Sequence, residues 1–314
     1  MLTYTLKRLL AGVLTVLFIA TATFVAMHVV PGDPLTTGKA RNPEIRRNLE
    51  AKYGLDRPVL VQYGLFLGNM ARGDFGISFT QQNRSVNDII REHFPISAVL
   101  GVLALLFSTA GGVLFGSLGA RFRGRAADQT ILFLVVFGIS VPSFVFAALG
   151  QQAVLEVNRW AGATVLPVAG WGTLRHMLLP AVALGLGTLA FLTRLMRSSL
   201  LEVVHQDYIR TARAKGLPSG RIFVAHELRN GILPVITLLG PALAAITTGG
   251  FVVESVFAIP GLGRYFVQAV QQLDYTVIMG LTVFYGSFLV LMVLVVDLVY
   301  GLVDPRIRVA REET

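Results

Sequence analysis

Six long apolar runs, each free of Asp, Glu, Lys and Arg, divide the chain at residues 9–30, 95–120, 130–155, 177–193, 231–253 and 275–296. A helix needs about 20 apolar residues to cross about 30 Å of hydrocarbon at about 1.5 Å per residue. Five runs meet that length. The fourth, of 17 residues, reaches it by continuing through Leu195 and Met196 while Arg194 snorkels to the interface. The first has the basic lead of a signal peptide in Lys7-Arg8 and a small-residue stretch at Ala20-Thr21-Ala22. Its apolar character continues to Val30, too far for such a peptide's core, so it reads as a retained helix. The pattern predicts an all-α membrane protein with six spanning helices, a single transmembrane unit over residues 1–314.

The polar segments orient the spans. With the N-terminus inside, Lys7, Arg8, Arg121, Arg123, Arg125, Arg194, Arg197, Arg210, Arg213, Lys215, Arg221, Arg229, Arg306, Arg308 and Arg311 all fall on the cytoplasmic side. The two short outer loops hold only Arg159, Arg175 and Arg264. Short loops rich in Lys and Arg stay inside, whereas long ones cross largely regardless of charge. Both termini are therefore expected in the cytoplasm. The long segment 31–94 becomes an extracytoplasmic insertion, with turns at Pro31-Gly32-Asp33-Pro34, a helical stretch over residues 43–52, and Val59, Leu60, Tyr63, Phe66 and Leu67 at helical spacing. It is expected to be a small cap of short helices; the alternative is an unstructured connector.

Composition agrees. The 314 residues are 54% apolar and only 14% charged, with a mean hydropathy of +0.66. Soluble domains carry about 25% charged residues, so a soluble enzyme and a disordered chain are both excluded. The net charge of +9 sits at the ends of apolar runs, which makes it a topology signal and not a nucleic-acid footprint. The absence of cysteine removes disulfides, thiolate chemistry and Cys-based metal sites.

Enzyme motifs are approached without being completed. His226-Glu227 opens like a zincin helix, but Asn230 stands where the second histidine belongs. Gly38-Lys39 ends like a phosphate loop, but Asp33 and Ala40 occupy the first Gly and the hydroxyl positions. The glycines at 185 and 187 lie inside an apolar run, where small residues serve close helix packing, as do Gly112 and Gly116. Histidines 28, 93, 176, 205 and 226 are scattered through boundaries and loops. No metal site, cofactor or catalytic group is expected in this chain. The run centres hold no ionisable residue, and Glu254 and Asp297 lie at run ends, so an ion-coupled carrier lacks its usual midplane site. Ser140, Ser143, Gln151, Gln152 and Thr247 are the polar candidates to line a path, with Pro142, Pro180, Pro234 and Pro241 able to bend helices around it.

The segment 197–230 between the fourth and fifth runs carries the most information. Asp207 is placed to cap a short helix over Tyr208-Ile209-Arg210-Thr211-Ala212-Arg213-Ala214-Lys215. Gly216 supplies a left-handed residue to end it, Leu217 follows, and Pro218 prevents continuation. A second helix can start at Ser219. A helix this short is marginal alone and needs a docking partner; a basic inside loop without a partner is the other reading.

Here the residues carry a resemblance. The run Gln206 to Leu217, followed by Leu228-Arg229-Asn230-Gly231-Ile232-Leu233-Pro234-Val235, closely resembles the coupling loop of binding-protein-dependent ABC importer permeases of the dipeptide/oligopeptide (and nickel) subfamily. Tyr53-Gly54-Leu55-Asp56-Arg57-Pro58, Gly73-Asp74-Phe75-Gly76-Ile77-Ser78, Phe257 to Arg264, Asp274-Tyr275 and Asp304-Pro305-Arg306 extend the likeness along the chain. In the general importer pattern of Glu-Ala-Ala, three residues, Gly, the first three places are held here by Arg210-Thr211-Ala212, and Gly231 replaces the later Ile.

The resemblance implies the ABC importer permease fold and a non-catalytic subunit in a bacterial inner membrane. Such a chain would form half of a translocation path for dipeptides, oligopeptides or related solutes. It would pair with a second, similar permease and dock residues 207–217 on two cytoplasmic ATPase subunits that bind ATP and Mg. An extracytoplasmic binding protein would deliver the solute. The competing functions are an ion-coupled secondary transporter working without ATPases, and an intramembrane enzyme, for which no nucleophile–base or metal pair is present in the runs.

Overall fold

The computed structural model describes residues 2–29, 50–51, 54–81 and 84–303. The secondary structure of the described residues is helical apart from one isolated bridge between Ile77 and Ser85. The helices are α1 (Leu2–Val29), α2 (Val59–Ala71), α3 (Val86–Arg121), α4 (Ala126–Ser140), α5 (Ser143–Ala161), α6 (Leu174–Val204) and α7 (Asp207–Ala214), followed by α8 (Ser219–Ile222) and α9 (Arg229–Gly231) on either side of a π-helical turn, Phe223–Leu228. The chain continues through α10 (Leu233–Gly249), α11 (Phe251–Val256), α12 (Leu262–Gln271) and α13 (Tyr275–Val303).

Four helices are long and apolar enough to cross a membrane unbroken: Thr5–Val29, Val86–Arg121, Leu174–Val204 and Tyr275–Val296. The fourth apolar run does extend past Met196, as its sequence requires. The run 130–155 is not one straight span. It breaks between Ser140 and Ser143, and α4 and α5 diverge by 105°. Pro142 is the reason: it lacks an N–H and clashes with the preceding turn, and it drives Val141 to extended angles of φ −95° and ψ 124°. A milder bend of 46° separates Ser219–Gly231 from α10, which opens with Pro234 in its first turn. Pro95, Pro180 and Pro241 remain inside helices. In the insertion, α2 forms where the helical spacing predicts it, with Gly54 at φ +68° in the turn before it. The expected helix over residues 43–52 falls largely outside the described residues, which include only helical Glu50 and Ala51.

The chain divides into two compact units. Residues 1–97 with 260–294 form the first, and 98–259 with 295–314 the second. In the first, Val86, Ile89 and Ile90 of α3, Leu262 and Ala269 of α12, and Val277, Ile278 and Leu281 of α13 make the buried core. Phe94 adds edge-on contacts to Phe284 and Phe288, with ring centroids 4.9 and 5.1 Å apart. Asp274, 1% exposed, gathers the loop before α3: it accepts hydrogen bonds from the Ser78 and Thr80 hydroxyls and from the Phe79 and Thr80 N–H groups.

In the second unit α6 is central, and α4, α5 and α10 pack on it. The small residues of α3 let its backbone approach α6 closely. Gly112 lies against Leu192 and Gly116 against Met196, and from the other side Gly185 lies against Ala104 and Ser108. The Ser108 hydroxyl sits 2.8 Å from the Gly185 carbonyl oxygen. The paired residues ascend together in both helices, so this part of α3 runs parallel to α6. Their C-terminal ends therefore lie on one side, which places the loop after Arg121 and the segment after Val204 on the same face.

Candidate functional site

The last turns of α6 are the platform for the segment 205–231. His205 closes α6, and α7 begins at Asp207. The N-cap is Gln206, without a side-chain cap hydrogen bond. Asp207 stands one place later than its expected capping role, inside the first turn, where a carboxylate faces the positive end of the helix dipole. It also lies 3.5 Å from Arg210, an exposed pair of little energetic weight.

The other end of α7 forms as its residues dictate. Gly216 has φ +74°. Its N–H donates to the Arg213 carbonyl at 2.9 Å, and the Leu217 N–H to that of Ala212 at 3.3 Å. Those two bonds define a Schellman cap, and its usual apolar contact is present, because Leu217 packs on the cluster containing Ala212. Pro218 then precedes α8.

One face of α7 is anchored and the other is bare. Ile209 and Ala212, three residues apart, are buried with Ile222 of α8, and Val203 of α6 packs against them. Asp207, Tyr208, Arg210, Thr211, Ala214 and Lys215 are exposed. Arg213 is the lateral tie: its guanidinium lies 3.3 Å from Glu227, whose side chain is 13% exposed. The π-helical turn matters here. One extra residue in the turn lets Ile222 face α7 while Phe223, Leu228 and Ile232 pack on Leu192, Met196, Leu200 and Val235. Gly231 then fits tightly against Leu200; a Cβ there would stand 2.7 Å from a Leu200 methyl group. The hairpin is thus fixed to its own spanning helix and shows a short mixed polar and cationic face outward. A groove of about 420 Å³ lies behind it, lined by Arg121 and Ser117 of α3, Leu200 and Val204 of α6, and Arg213 and Phe223.

The path candidates have different surroundings. Gln151 donates its amide to the carbonyls of Val168 (3.0 Å) and Val256 (3.2 Å), so it stitches segments together. Thr247 is buried, bonds the Leu243 carbonyl, and lies against Gly101. Ser140 and Ser143 flank the Pro142 break; Ser140 is exposed and its hydroxyl bonds the Val136 carbonyl. Sequence reasoning missed a further pair, Asp128 and Arg197, which join the start of α4 to α6. They are 69 residues apart, and no spacing rule connects them.

Helices long and apolar enough to span, one of them broken at Pro142, and an α6 that carries a capped hairpin are the frame of a multi-pass membrane protein. Residues 112–309 match the family described as binding-protein-dependent transport system inner membrane component, and residues 1–101 match the N-terminal component of the same systems. The chain belongs to that family. It is 44% identical over 310 residues to the dipeptide transport system permease protein DppB of Bacillus subtilis, covering 98% of this chain and 99% of that one. It is 42% identical to the oligopeptide transport system permease protein OppB of Haemophilus influenzae and 39% identical to OppB of Escherichia coli K12, in each case over 98% of this chain and all of the relative. A crystal structure of an amino acid ABC transporter with histidines matches 70% of this chain and 94% of its own with a TM-score of 0.50. At 16% identity that likeness speaks for the fold alone.

Proposed function

We propose that this permease forms half of the translocation path of an ATP-driven importer of dipeptides or short oligopeptides. A second, similar permease supplies the other half, and two cytoplasmic ATPase subunits that bind ATP and Mg drive it. The binding protein on which the family depends hands the peptide to the outer side. Peptide as cargo rests on the dipeptide and oligopeptide permeases to which the chain is similar along its whole length.

The observation that carries the coupling role is the α7 face. Eight residues of helix, too short to persist alone, are held by Ile209 and Ala212 and present Tyr208, Arg210, Thr211 and Lys215 outward. In this reading residues 207–217 seat in the ATPase, and closure of the ATPase pair on ATP moves α7 and, through its anchoring, α6. That is a rigid-body transition between two states. Cytoplasmic termini follow from the basic loops. Ser140 and Ser143 at the Pro142 break line the path, since irregular backbone at membrane depth is tolerated where it faces a protein interior or a cavity; Gln151 and Thr247 shape its wall by holding neighbouring segments.

The test is reconstitution of the complete complex in proteoliposomes with single cysteines at Thr211 and Ala214. ATP-dependent dipeptide uptake, and crosslinks from both positions to the ATPase, are expected. Gradient-driven uptake by the permease without ATPases, or labelling of both positions from the binding-protein side, overturns the reading.

A further inference from the structure

Helix α2 holds thirteen residues without a charge, bounded by Asp56 and Arg57 before it and Arg72 and Asp74 after it. One side is fastened to α1. The Tyr63 and Thr21 hydroxyl oxygens are 2.7 Å apart, His28 Nε2 is 3.3 Å from Gln62 Oε1, and the Phe24 ring lies 5.2 Å from that of Tyr63 and 5.8 Å from that of Phe66. Thr21 lies about 12 Å along the axis before the end of α1 at Val29. These contacts hold the first half of α2 level with residues 21–28 of α1, inside the apolar run 9–30. It is below the end of a spanning helix, not above it.

Among the described residues nothing covers the other side of α2. Val59, Leu60, Val61 and Leu65 are between 44% and 84% exposed, and nothing lies within 4 Å of the Cβ positions of Gly64 and Gly68. At the same depth α1 exposes Phe18, Val25 and Val29, a surface that a spanning helix gives to lipid. The bare side of α2 continues that surface. In water it would be an apolar patch with no solvating charge along its length; against acyl chains it needs none.

We propose that α2 is a membrane-embedded helix of the leaflet in which α1 ends, with Leu60, Val61 and Leu65 in contact with lipid acyl chains. Part of the segment between the first two spans then belongs to the bilayer rather than to an aqueous cap, and α1 with α2 forms a wedge in that leaflet. The inference needs only that α1 spans the membrane, and it stands whatever the transported solute.

The native chain has no cysteine, so Leu60→Cys and Leu65→Cys can each carry a nitroxide label in the assembled complex. The probe environment is a nanodisc of phosphatidylethanolamine and phosphatidylglycerol. Collision with oxygen is expected to exceed collision with a water-soluble nickel chelate several-fold at both positions, as at Phe18→Cys. Preference for the chelate, as at Asp56→Cys, would place the face in water. Low collision with both would place it under protein, such as a partner helix seated on Gly64 and Gly68 or the binding protein. Either result overturns the proposal. An independent measurement is quenching of Leu65→Trp fluorescence by lipids brominated on their acyl chains, beyond that of the native tryptophans; no added quenching counts against it.

Discussion

Arg197 grips Asp128 at two points, Nε to Oδ1 at 2.7 Å and Nη2 to Oδ2 at 2.8 Å. Asp128 is 3% exposed, and its second oxygen also accepts the Gly124 N–H at 2.9 Å. Gly119 of α3 lies alongside both side chains. The pair thereby ties the ends of α3 and α4 to α6, seven residues before the end of the helix that bears α7. Removing one partner strands the other. Asp128→Asn is expected to destabilise the complex by about 2–4 kcal/mol, toward the low end because Arg197 keeps some access to water. Thermal unfolding of the solubilised complex measures it. The double variant Asp128→Ala with Arg197→Ala should cost clearly less than the two single losses added together.

Gly216 offers a cleaner test of α7 than any charged residue. Its φ of +74° is strained for side-chain-bearing residues, yet nothing lies within 4 Å of its Cβ position, so a substitution acts through the backbone and not through a clash. A β-branched residue there should cost about 2 kcal/mol or more. Asn, which tolerates the left-handed region, should cost much less. Gly216→Val is expected to lose ATP-driven uptake while still inserting and assembling, and Gly216→Asn to keep most of it. Equal uptake by both variants would detach the cap from coupling.

Much of this arrangement was legible beforehand because local rules decide it. Gly216 before Pro218 marks the end of α7 with no knowledge of its neighbours, and six apolar runs become spanning segments wherever they pack. Errors arose where local signals were degenerate. Gln206 and Asp207 are adjacent polar residues either of which could open a helix, and the start fell one residue early. Pro142 was visible, but an all-apolar run keeps the same pattern through a kink, so the 105° turn between α4 and α5 left no periodic trace. The Asp128–Arg197 pair was invisible for another reason: it depends on α3, α4 and α6 converging, which is tertiary information. The same holds for the hydrogen bonds of the Gln151 amide, whose acceptors, the Val168 and Val256 carbonyls, lie 17 and 105 residues away.

Two glycines of α6, two residues apart, separate packing from propensity. A Cβ on Gly185 would stand 2.8 Å from the Ala104 carbonyl oxygen and 2.7 Å from the Ser108 hydroxyl, and the former is backbone that cannot swing away. On Gly187 the nearest atom is 3.9 Å off. Gly185→Ala should therefore destabilise by about 1–3 kcal/mol through overpacking. Gly187→Ala should be neutral or stabilising by up to about 1 kcal/mol through helix propensity. Melting temperatures of the two variants should fall on opposite sides of, or at least unequally from, the parent, and identical shifts would contradict the close approach of α3 to α6.

Asp274 should prove a hub that only a carboxylate fills. Its two oxygens accept from the Ser78 and Thr80 hydroxyls and from the N–H groups of Phe79 and Thr80, and Oδ1 also lies 3.3 Å from the Val277 N–H in the first turn of α13. An amide offers one acceptor oxygen, and its NH₂ group would face either the Phe79 and Val277 N–H groups or the Thr80 N–H, none of which can accept from it. Asp274→Asn is therefore expected to cost about 1–3 kcal/mol locally, the penalty of buried donors left unsatisfied. Because the partners cluster in residues 78–80, the loss should be local rather than global. Hydrogen exchange should rise at Phe79, Thr80 and Gln81 while protection of α6 stays unchanged. A uniform rise across both units would mean that Asp274 supports the whole fold instead of pinning this loop.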